Sequence, residues 1–332
     1  MDNLAAAYRE RRVLLLGGLG LIGSTLAHRL VALGARVTIV DALFPQFGGN
    51  RKNLEGIEDG VTVHVGDIRN EALMRSVVPG HDCIINLAAQ VSYTDSVSDP
   101  FLDLDINCRG MLVLLELCRV LNPEAKVLFP GSRLQFGRIE RIPVAEDHPQ
   151  VPLMPYGIHK MAAEKYCQMY HRIHGLRTTT LRLANPYGPR QQMKHSKYGI
   201  VNWFIRLAME GRTIKIFGDG AQVRDYIYVD DVATTFLLAG SRDETAGEVF
   251  NVGSGTPTSF REMARKVVRI VGKGRLEFVP WPLDYTNIET GDYVTDITRM
   301  KQLLEWAPQT SLADGIRLTY GYYEQRRSAY WE

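Results

Sequence analysis

The sequence has few cysteines, and those few are scattered. Cys83, Cys108, Cys118 and Cys167 form no CxxC pair and no Cys/His cluster. That spacing excludes a zinc ribbon or a disulfide framework, no metal site is expected, and a reducing compartment is the simpler home. Long apolar runs are also missing. Nothing approaches the roughly 18 apolar residues of a spanning helix. The opening MDNLAAAYRERR lacks the apolar core of a secretory leader and places its positive charges after its short apolar stretch. A cytoplasmic protein without membrane attachment is therefore expected. Charge of one sign is lacking too. Lys plus Arg number 39 and Asp plus Glu 37, a net charge of +2. Such a balance gives no electrostatic footprint for nucleic acid or an anionic membrane.

What is present is ordinary globular material, 45% hydrophobic and 23% charged over 332 residues. At about 150 residues per domain, that is one large domain or two modest ones. Short apolar runs alternate with helical periodicity. Strands are predicted at Val13–Leu16, Arg36–Val40, Val61–Val65, Cys83–Leu87, Lys126–Phe129 and Thr178–Leu183, with helices between them. Among those helices are Leu21–Leu33, a long one from Pro100 to Leu121, and Tyr156–His174. Fully apolar strands alternating with helices predict an α/β fold, a doubly wound parallel sheet of the Rossmann type. After Asn185, Gly/Pro-rich stretches separate shorter elements. We expect a sheet domain over 1–185 and a smaller α/β lobe over 186–332, with parts of 226–255 able to return to the large sheet.

The first strand ends in Gly17-Gly-Leu-Gly20-Leu21-Ile22-Gly23, and a helix follows. One glycine permits the tight turn, one lets backbone approach a pyrophosphate, and one packs helix against strand. The helix N-terminus, from Leu21 and Ile22, offers free N–H groups to phosphates. Asp41 closes the second strand, eighteen residues past Gly23. A carboxylate there accepts from both ribose hydroxyls and repels a 2′-phosphate, so NAD is expected rather than NADP. Asp67-Ile68 ends the third strand, where Asp67 is placed to accept from the adenine amino group. The competing role there is a helix cap, for which Asn70 is available.

Tyr156-Gly-Ile-His-Lys160 spaces a phenol and an ammonium by one helical turn. A free phenol has a pKa near 10 and is a poor base; a nearby cation favours its phenolate. Ser132 follows the fifth strand, at the end that faces the ligand crevice in such sheets. Together Ser132, Tyr156 and Lys160 are a constellation for hydride chemistry on an alcohol.

With these residues in place the chain resembles the extended short-chain dehydrogenases/reductases, in the NAD-dependent nucleotide-sugar epimerase/dehydratase group, and within it the UDP-glucose 4-epimerase type. The resemblance rests on Gly17/Gly20/Gly23, Asp41, Asp67-Ile68, Asn86-Leu87-Ala88-Ala89, Asn107, Ser132 and Tyr156-x-x-x-Lys160. It continues through Leu181-Arg-Leu-Ala-Asn185-Pro-Tyr-Gly-Pro-Arg190, Gly218-Asp-Gly-Ala-Gln222-Val-Arg224-Asp225-Tyr226 and Phe250-Asn-Val-Gly253. It implies a cofactor site that includes Leu87, Ala88, Ala89 and Asn107, with Lys160 also on the nicotinamide ribose. Asn185 and Arg224 should hold a nucleotide-sugar diphosphate, with Gln222 beside them. A homodimer through a four-helix interface, from helices near 100–120 and 156–174, is also implied.

Two departures stand out. Relatives that dehydrate the sugar carry Asp-Glu directly after the active-site hydroxyl residue; here Arg133 and Leu134 stand there. Neither serves as an acid or base at neutral pH, so an epimerase acting at C4 is expected. The alternatives are a dehydratase or oxidoreductase of the same family, or a non-catalytic NAD-binding scaffold. Arg133, a planar fork, is expected to contact the sugar and favour an oxygen-rich or acidic C6, unless it pairs with Glu146 or Asp147. Second, Glu289 occupies a position where many relatives have a phosphate-binding Arg. Arg190, Lys194, Lys197 or Arg224 could compensate. His159 and His195 read as polar surface groups.

Overall fold

The computed structural model describes residues 2–44, 46–283 and 288–331. Its centre is a seven-stranded parallel sheet built from β1 (Arg12–Leu16), β2 (Arg36–Asp41), β3 (Val61–Val65), β4 (Cys83–Asn86), β5 (Lys126–Ser132), β6 (Arg177–Leu183) and the late strand Val249–Val252. In space the order is Val249–Val252, β6, β5, β4, β1, β2, β3. Leu16 of β1 sits between Val40 of β2 and Asn86 of β4.

The inner strands β1 and β4 read as near-continuous apolar runs because both faces are covered, whereas β3 (VTVHV) and β6 (RTTTLRL) carry polar residues. Along β1, Val13 and Leu15 enter one core while Leu14 and Leu16 enter the other, the period-two alternation of a strand. Helices α1 (Asp2–Tyr8) and α2 (Leu21–Ala32), with helix Val229–Ser241, cover the first face through residues such as Leu26, Leu30, Val232 and Phe236. The second face is covered by α3 (Glu71–Val77) and, after the short α4 (Tyr93–Ser98) and α5 (Pro100–Leu104), by α6 (Gly110–Leu121) and α7 (Pro155–His174). Each fully buried Leu or Phe contributes about 1.5–3 kcal/mol relative to exposure. Pro155 starts α7 at a position that needs no N–H, and left-handed Gly175 ends it.

The helix expected over Pro100–Leu121 is not uniform. Between α5 and α6 the backbone widens into one π-helical turn, Asp105–Arg109. Asn107, in that turn, is buried and donates to the Gln90 carbonyl at 2.9 Å and to Asp103 at 3.0 Å. Such turns are frequent at functional sites.

The smaller lobe pairs Thr213–Phe217 with Arg275–Val279, Asn185–Tyr187 with Tyr226–Tyr228, and Val223–Arg224 with Thr258–Ser259. Helices Ile200–Met209, Phe260–Val271 and Leu312–Glu324 close its core around Ile205, Val267 and Ile316. Midway through these elements the chain re-enters the large sheet, where Val249–Val252 lies beside β6. Among the described residues no helix is long and apolar enough to cross a membrane.

The turn after β1 is pressed against the end of β4. Gly17 has φ +76°, and a Cβ there would lie 2.7 Å from the Ala88 nitrogen. Backbone cannot yield as a side chain tip can. Gly17→Ala is therefore expected to destabilise the protein by at least about 1–3 kcal/mol, the cost of a left-handed non-glycine residue. Urea denaturation measures it, and an unchanged midpoint would contradict this close approach.

Candidate active site

The order of strands reverses between β1 and β4, and ligands of doubly wound sheets bind in the crevice beyond such strand ends. A cavity of about 710 Å³ opens there. Its first end is lined by Gly17, Gly20, Leu21, Ile22, Gly23, Asp41, Asp67, Ile68, Leu87, Ala88 and Ala89. Ser132, Tyr156 and Lys160 line its middle, and Arg133, Asn185, Gln222 and Arg224 its far end. Two expected residues lie off its wall. Asn107 braces the loop behind it, as above. Arg190 donates to Thr25 Oγ1 at 3.1 Å and lies over the Tyr322 ring, so it ties α2 to the small lobe.

The first end is shaped for a dinucleotide. No side chain caps α2 at Gly20, which leaves its first N–H groups facing the cavity. A Cβ on Gly23 would lie 2.4 Å from the Gly17 carbonyl oxygen, whereas one on Gly20 would meet nothing closer than 3.7 Å. The first glycine serves packing and the second leaves room for a ligand. Asp41 accepts from the Leu19 and Leu43 N–H groups, each at 2.9 Å. Burial raises its pKa against the pull of those two donors. Each oxygen keeps lone pairs for ribose hydroxyls. Asp67 is gripped by Arg69, with Nη2 to Oδ2 at 2.7 Å. Burial works to raise its pKa, but Arg69 outweighs burial and holds it low. Asn70 is the cap of α3, accepting from the Leu73 N–H at 3.1 Å.

The middle is built by α7 lying tightly on the loop after β5. A Cβ on Gly157 would lie 2.4 Å from the Leu134 carbonyl oxygen, so only glycine lets Tyr156 come this close to Ser132. The Ser132 side chain acts on the Tyr156 phenol and favours its ionised form, so the two groups face one another across the cavity. Burial pushes the phenol up to about 12, against the lowering effects of Ser132 and the Arg133 charge. Lys160 Nζ donates to the Pro130 carbonyl at 3.3 Å and stands 4.8 Å over the Phe129 ring. Burial lowers its pKa to about 8, opposed by the Asp103 charge.

Three supports escaped the sequence reading. Ser132-x-x-Gln135 is a capping box: the Gln135 Oε1 accepts from the Ser132 N–H at 2.6 Å, and Ser132 Oγ accepts from Leu134. Gln135 in turn donates to the wholly buried Glu164, which Arg182 holds with two bonds of 2.8 and 2.7 Å. The S-x-x-Q spacing was a usable signal; the link to Glu164 and Arg182 had none. Asp103 is wholly buried beside Lys160 and accepts from His159 Nδ1 at 2.6 Å. His159 is therefore not a surface group; its side chain is only 13% exposed. Finally, buried Asp225 accepts from Ser254, Gly255 and Thr295, fastening the small lobe to the end of Val249–Val252.

At the far end Arg133 pairs with neither Glu146 nor Asp147. Asp147 bonds Arg141, and the Glu146 carboxylate accepts from the Asn251 N–H. Arg133 instead reaches across to Asn185 Oδ1 at 3.2 Å and Thr290 Oγ1 at 3.1 Å. Arg224 forms an ion pair with Glu289.

A nucleotide cradle, a buried Tyr/Lys/Ser centre and a cationic far end in one crevice describe an NAD-dependent enzyme of alcohol carbons. Residues 13–253 match the family model described as the NAD dependent epimerase/dehydratase family. The chain belongs to that family. It is 35% identical over 323 residues to a UDP-glucose 4-epimerase of Mycolicibacterium smegmatis, an alignment covering 95% of this chain and 99% of that one. Its structure resembles UDP-glucose 4-epimerase of Thermotoga maritima with UDP-glucose, at TM-score 0.86 and 33% identity, covering 95% and 99% of the two chains. It also resembles an NAD-bound dTDP-glucose 4,6-dehydratase of Streptomyces venezuelae, at TM-score 0.86 and 28% identity, covering 97% and 99%.

The placement of Asp41 predicts cofactor choice. NAD should bind at least about tenfold more tightly than NADP, because a 2′-phosphate would meet a buried carboxylate. Equal affinities in a fluorescence titration would refute the assignment of Asp41 to the ribose.

Proposed function

We propose that this chain is a nucleotide-sugar epimerase that inverts carbon 4 through a transient 4-keto sugar. The observation that carries this reading is the makeup of the cavity's middle: Ser132, Tyr156 and Lys160 converge, and the next two residues are Arg133 and Leu134. That set can move a hydroxyl proton, but it offers no carboxyl to expel a 6-hydroxyl. The similarity to UDP-glucose 4-epimerases makes UDP-glucose the first substrate to test.

NAD, held by the Gly17–Gly23 turn and Asp41, supplies the hydride acceptor and donor when bound. Tyr156 takes the proton from the 4-hydroxyl and returns it at the end. Ser132 holds the reacting oxygen through its hydroxyl. Lys160 stabilises the phenolate by its charge, one helical turn away. Tyr156, pushed up to about 12 by burial, would come toward the working range beside a bound cation and a substrate hydroxyl donating to its phenolate. Inversion also requires the keto sugar to present its other face, which a cavity of about 710 Å³ accommodates while the nucleotide stays anchored. A scaffold that merely binds NAD would need no buried Tyr156–Ser132 pair.

The same reading includes a homodimer. Phe101, Leu104 and Ile158 are 77%, 39% and 46% exposed on α5 and α7, an apolar face that a second copy would cover. It also includes a reducing, cytoplasmic setting, in keeping with four buried free thiols.

Incubation with UDP-glucose and NMR of the products tests the reaction; UDP-galactose is expected. A 4-keto-6-deoxy product would overturn the epimerase reading in favour of dehydration. Tyr156→Phe should lower turnover by about 10²–10⁴-fold, the usual worth of a positioned acid/base, with NAD binding kept. Wild-type turnover in that variant would remove Tyr156 from the reaction.

A further inference from the structure

We propose that the substrate's oxyanion is held chiefly by Arg133, and that Glu289 holds Arg224 back from that role. This rests on the nucleotide-sugar reading and assigns its anion site.

Arg224 is committed to the protein. Its Nη1 donates to the Val223 and Gly291 carbonyls, each at 2.9 Å, and its Nη2 to Glu289. Glu289 is itself fixed by the Gly291 N–H at 3.0 Å. An anion approaching this guanidinium meets a carboxylate already seated on it. Such a pair is largely neutral from outside, and like charge repels the newcomer.

Arg133 is in the opposite condition. Among the described residues it makes no ion pair, and its two hydrogen bonds go to neutral oxygens, those of Asn185 and Thr290. Arginine has five N–H groups, so three remain for a ligand on a cavity wall. Burial lowers its pKa to about 10, and the nearby Arg224 charge adds to this. The Glu289 carboxylate acts on Arg133 only through space, being bonded to Arg224, so this desolvated guanidinium with no carboxylate bonded to it favours an incoming anion.

Its position fits one part of the substrate. Arg133 acts electrostatically on both the Tyr156 phenol and Arg224. At the far end of the cavity it is thus within electrostatic reach of both the reacting centre and Arg224, which suits the sugar and its linkage to the diphosphate. Asn185 is turned to aiming it: the amide accepts from Arg133 Nε and donates to the Asp225 carbonyl at 2.7 Å. The Tyr293 ring lies 5.8 Å beneath the guanidinium. A planar fork fixed in this way suits a two-oxygen anion. Two sources share that chemistry: the sugar-linked phosphate, and a carboxylate on the sugar.

Calorimetric titration of the NAD-bound protein with UDP, UDP-glucose and UDP-glucuronate tests the assignment and separates the sources. Charge-assisted bonds of this kind are worth about tenfold to a hundredfold in affinity. If the phosphate is the anion, Arg133→Gln weakens all three ligands by that factor. If a sugar carboxylate is the anion, only UDP-glucuronate weakens. Either result supports Arg133 as the anion holder; unchanged affinity for all three overturns it. Glu289→Gln leaves Arg133 intact and serves where the first variant fails to fold. It should tighten UDP several-fold by releasing Arg224, and unchanged affinity would overturn the restraint by Glu289. Failure of the wild-type protein to bind any of the three would instead overturn the nucleotide-sugar reading, and this inference with it.

Discussion

Between β1 and β4 the chain leaves the sheet toward opposite faces, α2 on one side and α4 to α6 on the other. No helix can then cover the gap above those two strand ends, and the rest of the chemistry depends on that gap. The glycine turn can approach Ala88 only because both strands stop at the same level, Leu16 opposite Asn86. Ser132 ends β5 beside β4, and α7 carries Tyr156 and Lys160 back over it. The small lobe closes the far side, held by Asp225. The glycine turn, the Ser132/Tyr156/Lys160 cluster and the Arg133/Arg224 pair thus line one crevice although they span most of the chain.

Within that crevice burial pushes each key group toward its neutral form. The phenol of Tyr156 rises to about 12, Lys160 falls to about 8, and Arg133 falls to about 10. Desolvation alone disfavours every charge. In the proposed reaction, anions held at Arg133 and a cation held beside Tyr156 would offset that desolvation. The protein also spends carboxylates selectively. Asp103 steadies Lys160 from behind, Glu164 is paired with Arg182, and Glu289 is paired with Arg224. None stands where a dehydrating acid would.

Local features were legible in the sequence. The Gly17–Gly23 turn, the acid ending β2 and the one-turn Tyr156/Lys160 spacing are set by residues close in the chain, and each lines the cavity. The inner strands were legible because burial on two faces makes β1 and β4 nearly all apolar, and β6, RTTTLRL, was legible through its β-branched run. The π-helical turn at Asp105–Arg109 was not, since its apolar pattern matches an ordinary helix and only the inward amide of Asn107 betrays it. The short α1 and α4 carry too few turns for a period. Long-range pairing was the least legible. His159 looks like a surface group until Asp103 is brought beside it from α5, and Arg190 looks like a phosphate ligand until Thr25 and Tyr322 are found around it. The partnership of Arg224 with Glu289 depends on how the small lobe folds, which neither residue's neighbours in sequence reveal.

In the proposed reaction hydride leaves and returns at one carbon, and no proton is taken from another. Conversion of UDP-glucose carrying deuterium at C4, and separately of unlabelled substrate in D₂O, tests it most directly. The account predicts that the C4-inverted product keeps its deuterium at C4 and takes up none from solvent at any carbon. Solvent deuterium at C5, or transfer of the C4 label to C6, would contradict it.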